Sequence, residues 1–442
     1  MEGTLPPQMP ARTALPDWSS CTLRFGGALF LTALGSVSGG ISMPSWATGQ
    51  AAAQQRTNTD KELAIEPMTS IDGNGSGYFA DPQPIHLASS ERSVQLLSGT
   101  TKAILACRYP TRPGCFSWKP ITIDAGSLRP MIAAAGATVT NFQNLDLYQD
   151  DDGGWHAAVT IGVRSAAHPK HWTVIAHAHP TSPALPGSAP TTWSADVVLG
   201  GSFSKPVEGN YDAKYFEDNG RLYMLYVDAI ATPPALRNAI FLQPMLSPTR
   251  LAPTRRFALL APEDRANGRE LASELYGNTQ ARLVEAPYIS RIGGKYALIY
   301  SSGAYLTTGY KAGIAWSDTL LPSAGGSYRK VFAADSGGIW GERGKREVRY
   351  LVQSARLLWP NFTGVQVIGP GVAAAVHGPD GAWLLYFNGF APGDMPLGQN
   401  GRVAGNHRRP YYLRLDVNVP ADRSVSSASD SELASWVVPE AR

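Results

Sequence analysis

Apolar and polar positions along this chain repeat one layout five times. Each unit opens on a polar or otherwise distinctive residue and runs to an apolar one four places on. A tight polar turn follows, then a strand rich in aromatic and aliphatic residues. The openings are Asp81-Pro-Gln-Pro-Ile85, Asn144-Leu-Asp-Leu-Tyr148, Asp212-Ala-Lys-Tyr-Phe216, Glu285-Ala-Pro-Tyr-Ile289 and Val372-Ala-Ala-Ala-Val376. Four of the turns are Gly-bearing: Asp150-Asp-Asp-Gly-Gly154, Glu217-Asp-Asn-Gly-Arg221, Ile292-Gly-Gly-Lys295 and Gly378-Pro-Asp-Gly381. The first unit is weaker, with Ser89-Ser-Glu-Arg92 as its turn. In Leu222-Tyr-Met-Leu-Tyr226, as in the other strands after these turns, apolar residues fall on both faces. Strands buried on both sides and joined by short polar hairpins fit stacked sheets. A fixed layout recurring about every 60 to 90 residues marks a radial or solenoid array. The pattern predicts an all-β chain folded as a five-bladed β-propeller. A β-sandwich or a right-handed β-helix is the alternative, but a β-helix needs shorter and stricter repeats. Arg265 to Tyr276 is the best helical candidate, and it is brief. Arg408 to Val419 reads as a strand that returns beside the first blade to close the ring, since closure removes exposed edges.

Composition supports a loop-rich β protein. Charged residues are 17% of the chain, and 442 residues include 45 glycines and 34 prolines, both far from the usual soluble average. The net charge of +3 is spread along the chain, which gives no electrostatic case for a nucleic-acid partner. Arg12 and Arg24 precede an apolar run from Phe25 to Ile41, followed by Ala47 and Ala51-Ala52-Ala53. That order reads as an export leader. The expected organisation is a leader over 1–53, a linker over 54–66, the propeller over 67–423 and an unassigned tail over 424–442. Secretion or periplasmic export follows, with no stable membrane insertion after leader removal. Cys107 and Cys115 flank a turn-prone loop and read either as a small disulfide or as two thiols.

The inner strand of each propeller blade faces the axis. The layout puts Asp81, Asp212 and Glu285 at one equivalent position, so all three should reach a shared axial pocket. Neighbouring carboxylates raise one another's proton affinity, which lets one stay an acid while another stays a base. Glycoside hydrolysis needs that division of labour.

These residues carry a family resemblance. Tyr78-Phe-Ala-Asp81-Pro, Tyr211-Asp212-Ala-Lys-Tyr-Phe-Glu-Asp-Asn-Gly-Arg-Leu-Tyr and Val284-Glu285-Ala-Pro-Tyr-Ile resemble the three catalytic blades of glycoside hydrolase family 43. Ser301-Ser-Gly-Ala-Tyr-Leu-Thr-Thr-Gly-Tyr-Lys-Ala-Gly-Ile-Ala-Trp-Ser is similar to the strand pair after the acid. The resemblance implies an inverting hydrolase of arabinose- or xylose-containing glycans such as arabinan or xylan. Asp81 would then be the general base, Asp212 the residue that tunes and orients the acid, and Glu285 the general acid. Inversion requires base and acid roughly 6.5–9.5 Å apart. Two positions depart from the family. A Trp platform is missing from the second blade, although Asp146 matches the family's Asp and is expected to meet substrate. In the fifth blade Val372 stands where the family often has a His that helps bind an axial calcium or water cluster; the change removes a ligand, so no cofactor is expected, with an axial calcium as the open alternative.

Sugar rings stack on aromatic faces. Trp118, Trp193, Trp316, Trp340 and Trp359 are candidates, Trp340 and Trp359 the better ones for their polar, Gly-rich surroundings. Phe79 and Tyr211 adjoin two of the carboxylates and are expected to floor the pocket. His168, His171, His177 and His179 read as surface or loop residues, with His177 and His179 on one strand face. Arg408, Arg409 and Arg414 are candidates either for a substrate contact or for an ion pair at ring closure. The expected partner is an oligo- or polysaccharide, and the expected state a monomer. Two further readings compete: a fructan-active retaining propeller of the invertase and levansucrase kind, and a non-catalytic glycan-binding propeller.

Overall fold

The computed structural model describes residues 66–67, 82–85, 95–98, 104–107, 117–184, 189–206, 209–230, 237–262, 274, 282–322, 327–332, 348–354, 367–378, 381–391 and 408–440. The chain divides into two compact units, 1–60 and 61–442. The first lies wholly outside the described residues.

The second unit is a five-bladed β-propeller. Blade 1 is Gln83–Pro84, Gln95–Ser98, Ile104–Cys107 and Ser117–Lys119 in sequence order. Blade 2 is Ala137–Gln149, Trp155–Ser165, Trp172–Pro180 and Thr192–Gly200, with Thr122–Asp124 added in parallel at its edge. Blade 3 is Gly209–Asp218, Arg221–Ile230 and Arg237–Ser247, edged by Phe257–Leu260 and Arg250–Leu251. Blade 4 is Arg282–Ile292, Lys295–Ser302 and Lys311–Ser317, edged by Arg329–Lys330 and Tyr350–Gln353. Blade 5 is Ile368–His377, Trp383–Phe390 and Arg409–Val417.

The apolar core lies between blades, because each strand presents alternate residues to opposite neighbours. In Arg221–Ile230, Met224 and Tyr226 join a cluster with Tyr148, Ala158 and Ile175 of blade 2. Their neighbours Tyr223, Leu225 and Val227 join one with Leu298, Tyr300 and Ala315 of blade 4. Blades 4 and 5 share a third cluster, including Ile299, Trp316, Ala373, Leu385 and Phe387. Each fully buried side chain of this size stabilises the fold by about 1.5–3 kcal/mol. Trp193 and Trp316 are among the most completely buried side chains, so they pack blades and do not face a sugar. The hairpin turns follow the sequence signals. Asn219-Gly220 and Gly293-Gly294 are two-residue loops with positive φ at both positions, the primed geometry that matches strand twist.

Ring closure differs from the sequence expectation. Arg409–Val417 remains in blade 5, beside Trp383–Phe390. Its outer edge is shared by Glu66–Pro67 from the start of the unit and Val437–Pro439 from the end. Residues 424–440 of the expected tail are therefore part of the fold. Ser429 caps the helix Asp430–Trp436 in a reciprocal box with Glu432, and Leu433, Trp436 and Val437 enter the core between blades 4 and 5. Arg329 binds the carbonyls of Val425 and Ala428 and the Asp430 carboxylate. Arg265–Tyr276, expected to be helical, lies outside the described residues except for Glu274, which is in a 3-10 turn.

Candidate active site

One bulge recurs on the inner strands. Pairing with the second strand skips after Gln143, Tyr211, Glu285 and Gly371 and resumes at Asp146, Lys214, Tyr288 and Ala374. The first skipped residue takes a left-handed conformation in every case: Asn144 at φ 53°, Asp212 at 55°, Ala286 at 49° and Val372 at 49°. Asn and Asp accept this region readily, whereas a β-branched Val does so only under constraint. The bulge corrects the sequence alignment. Asp212 is equivalent to Ala286, and Glu285 stands one place earlier, level with Tyr211. The two carboxylates therefore leave their strands from successive positions of one motif. Asp81 and Phe79 lie outside the described residues, as do Trp340 and Trp359.

Asp212 is buried, and its Oδ2 accepts the backbone N–H of Ala286 at 2.7 Å. The Asp212 carboxylate thus grips the peptide that follows Glu285, across the boundary between blades 3 and 4. Burial pushes its carboxyl up, against the Lys214 charge and the Ala286 N–H. Glu285 is half-buried, and the Tyr310 hydroxyl donates to its Oε1 at 2.8 Å. Tyr211 is also half-buried, and its hydroxyl accepts from Asn238 Nδ2 at 2.7 Å.

Asp146 stands two places after the left-handed Asn144 of blade 2. It is buried, and its Oδ2 accepts the Tyr215 N–H at 2.9 Å, tying blade 2 to blade 3. Burial pushes its carboxyl up to about 6, opposed by Lys214 and the Tyr215 N–H. Lys214 is itself buried, and its charge acts on both Asp146 and Asp212. Sequence reasoning did not single it out. The signal was present as a lone cation in the otherwise apolar stretch after Asp212. Tyr310 and Ser301 were also assigned no role, although both fall in the segment similar to the family's strand pair.

The described residues of these inner strands do not fit an axial calcium. Calcium takes six to eight oxygen ligands. Val372 and Ala374 are buried and apolar, and Val372 packs against Ala286 and Tyr310. Lys214 already supplies a positive charge beside Asp146 and Asp212. Among the described residues, no group of three or more His, Cys, Asp or Glu is arranged to hold a metal ion.

Other candidates fall elsewhere. Arg408 is buried and donates to Asn388 Oδ1 at 2.6 Å, to the Tyr305 and Gly369 carbonyls at 2.5 Å each, and to the Asn388 carbonyl at 3.1 Å. Its guanidinium also lies 4.9 Å from the ring centres of both Tyr310 and Phe390. Arg409 and Arg414 are half-buried in the same closing strand. His177 is buried, not a surface residue. Its Nδ1 meets Asp196 Oδ1 at 2.5 Å, and its Nε2 lies 3.0 Å from His156 Nδ1. His179 meets the other Asp196 oxygen at 2.8 Å, so His177 and His179 do share a face. Both imidazoles outweigh the upward effect of burial and hold the Asp196 carboxyl below its usual range. Trp118 belongs to the strand Ser117–Lys119. Cys115 lies outside the described residues.

No family model matches the chain. No curated protein matches it in sequence. Solved structures do match in fold. A thermostable family-43 glycoside hydrolase superposes with a TM-score of 0.50 at 17% identity, over 77% of this chain and 90% of that one. An alpha-L-arabinofuranosidase from Lactobacillus brevis gives 0.50 at 16% identity, over 77% and 91%. The chain shares the five-bladed fold of the family-43 glycoside hydrolases.

Proposed function

We propose that this chain is a secreted glycoside hydrolase that cleaves arabinofuranosyl or xylosyl linkages with inversion, using Asp81, Asp212 and Glu285. The reading rests above all on the bond from the Ala286 N–H to Asp212. It couples one buried carboxylate to the peptide of a second, half-buried one on the next blade. That coupling suits a residue that orients an acid and contributes negative charge near it. Similarity of fold to family-43 hydrolases supports the same reading.

In this mechanism water attacks the anomeric carbon opposite the leaving oxygen, and Asp81 takes the water's proton. Glu285 gives its proton to the glycosidic oxygen as the carbon–oxygen bond breaks. Asp81 ends protonated and Glu285 ionised, and exchange with solvent restores both. Asp212 stays in place as the positioning carboxylate.

The test compares wild type with Glu285→Gln on arabinan, xylo-oligosaccharides and aryl glycosides. The wild type should release sugar, and its first-formed anomer in NMR should be inverted. Glu285→Gln should lose roughly 10²–10⁴-fold on substrates with poor leaving groups. Retention of configuration would favour the fructan-active type of mechanism. Sugar binding without release by either protein would leave a glycan-binding propeller.

A further inference from the structure

The bond between Tyr310 and Glu285 belongs to a longer hydrogen-bonded chain. Val372 N–H donates to Ser301 Oγ at 2.7 Å. The Ser301 hydroxyl also hydrogen-bonds the Tyr310 hydroxyl. Tyr310 then donates to Glu285 Oε1 at 2.8 Å. An amide N–H can only donate, and each hydroxyl has one proton. The Tyr310 proton is spent on Glu285, so Ser301 is the donor between the two hydroxyls, and its oxygen accepts the Val372 N–H. The left-handed backbone at Val372, φ 49°, accompanies the placement of its N–H on Ser301.

The ring of Tyr310 is held as firmly as its hydroxyl. Its residue is 1% exposed. Ala286 and Val372 pack against it, and the Arg408 guanidinium lies 4.9 Å from its centre. Gly371 is required for this placement, because a Cβ there would stand 2.1 Å from a Tyr310 ring carbon. The blade-5 bulge thus makes room for a blade-4 tyrosine, and the tyrosine reaches the carboxyl that precedes the blade-4 bulge.

We propose that Tyr310 is the positioning residue that selects which oxygen of Glu285 carries the acid proton, with Ser301, itself held by the Val372 amide, bonded to the other side of its hydroxyl. In a neutral carboxyl the carbonyl oxygen is the stronger acceptor of a hydroxyl proton. With Oε1 so occupied, the proton resides on Oε2. The inference rests on the reading of Glu285 as general acid. The charged and titratable groups acting on Tyr310 are Glu285, Arg408 and Asp212. Donation to a carboxyl favours its ionised form, so removing the donor raises the pH at which the acid loses its proton.

The experiment measures kcat/KM across aryl glycosides of graded leaving-group pKa for wild type, Tyr310→Phe and Glu285→Gln, with pH profiles and melting curves. Tyr310→Phe should lose roughly 10- to 100-fold on poor leaving groups and little on activated ones. Its alkaline limb should move to higher pH. Ser301→Ala, which leaves the tyrosine ring in place, should show the same pattern more weakly and covers the case in which Tyr310→Phe fails to fold. Equal losses across all leaving groups, or none, with Glu285→Gln still dependent on the leaving group, would overturn the role of Tyr310 alone. A Glu285→Gln without that dependence would overturn the acid assignment, and the proposal with it.

Discussion

Burial shifts the titration of single residues in this protein. Asp146 is the clearest case. Its carboxyl moves from an ordinary 3.8 to about 6, because burial outweighs Lys214 and the Tyr215 N–H. Between those pH values the folded protein holds a proton that the unfolded chain has released. The contribution to stability is therefore full below about pH 4 and is lost as pH rises through about 6. Asp212 shifts in the same direction and adds to the same slope. Asp146→Asn keeps an oxygen for the Tyr215 amide and removes the titration. Denaturant unfolding at pH 4 to 7 should show a slope reduced by on the order of 3 kcal/mol across that range. Identical slopes would mean that Asp146 does not hold the proton.

At the scale of elements, the turns were readable and the bulges were not. A pair of glycines between two apolar runs is a hairpin signal with a steric cause. Gly293-Gly294 forms that turn, but its two glycines do different work. A Cβ on Gly293 would stand 2.5 Å from the Val419 Cβ, whereas nothing lies within 4 Å of one on Gly294. Both have positive φ, which Asn tolerates. Gly294→Asn should change stability by less than about 0.5 kcal/mol, and Gly293→Asn should cost about 1–3 kcal/mol. Melting curves of the two variants check the contrast. The inner-strand bulges have no such signature. Asn144, Asp212, Ala286 and Val372 share a backbone conformation and no side-chain chemistry. A reading by residue type aligned Glu285 with Asp212, and only the pairing register moved it back by one.

Over the whole molecule, the two ends of the described chain meet on one blade. Glu66–Pro67 and Val437–Pro439 both pair with Arg409–Val417, so the ring closes through its last blade. The segment after 423 buries Val425, Leu433, Trp436 and Val437 between blades 4 and 5. A chain ending at residue 423 should melt at least ~10 °C lower, given about 1.5–3 kcal/mol for each large apolar side chain removed from the core. A melting temperature equal to that of the full chain would show that the segment adds nothing to closure.

Alternation of apolar residues and the placement of Gly-bearing turns determined the all-β class and the five units, because those signals are local and follow from backbone sterics and solvent. The sequence also brought Asp212 and Glu285 forward as a pair. Tertiary structure alone decided how they meet. The Ala286 N–H on Asp212 crosses from one blade to the next, and the chain from Val372 through Ser301 and Tyr310 to Glu285 joins blades 4 and 5. It likewise placed Lys214 in the interior and His177 beneath the surface. Contacts between blades join residues about 70 or more positions apart in most cases. No local pattern encodes which partner stands across the gap, and that partner sets the charge, direction and geometry of each group.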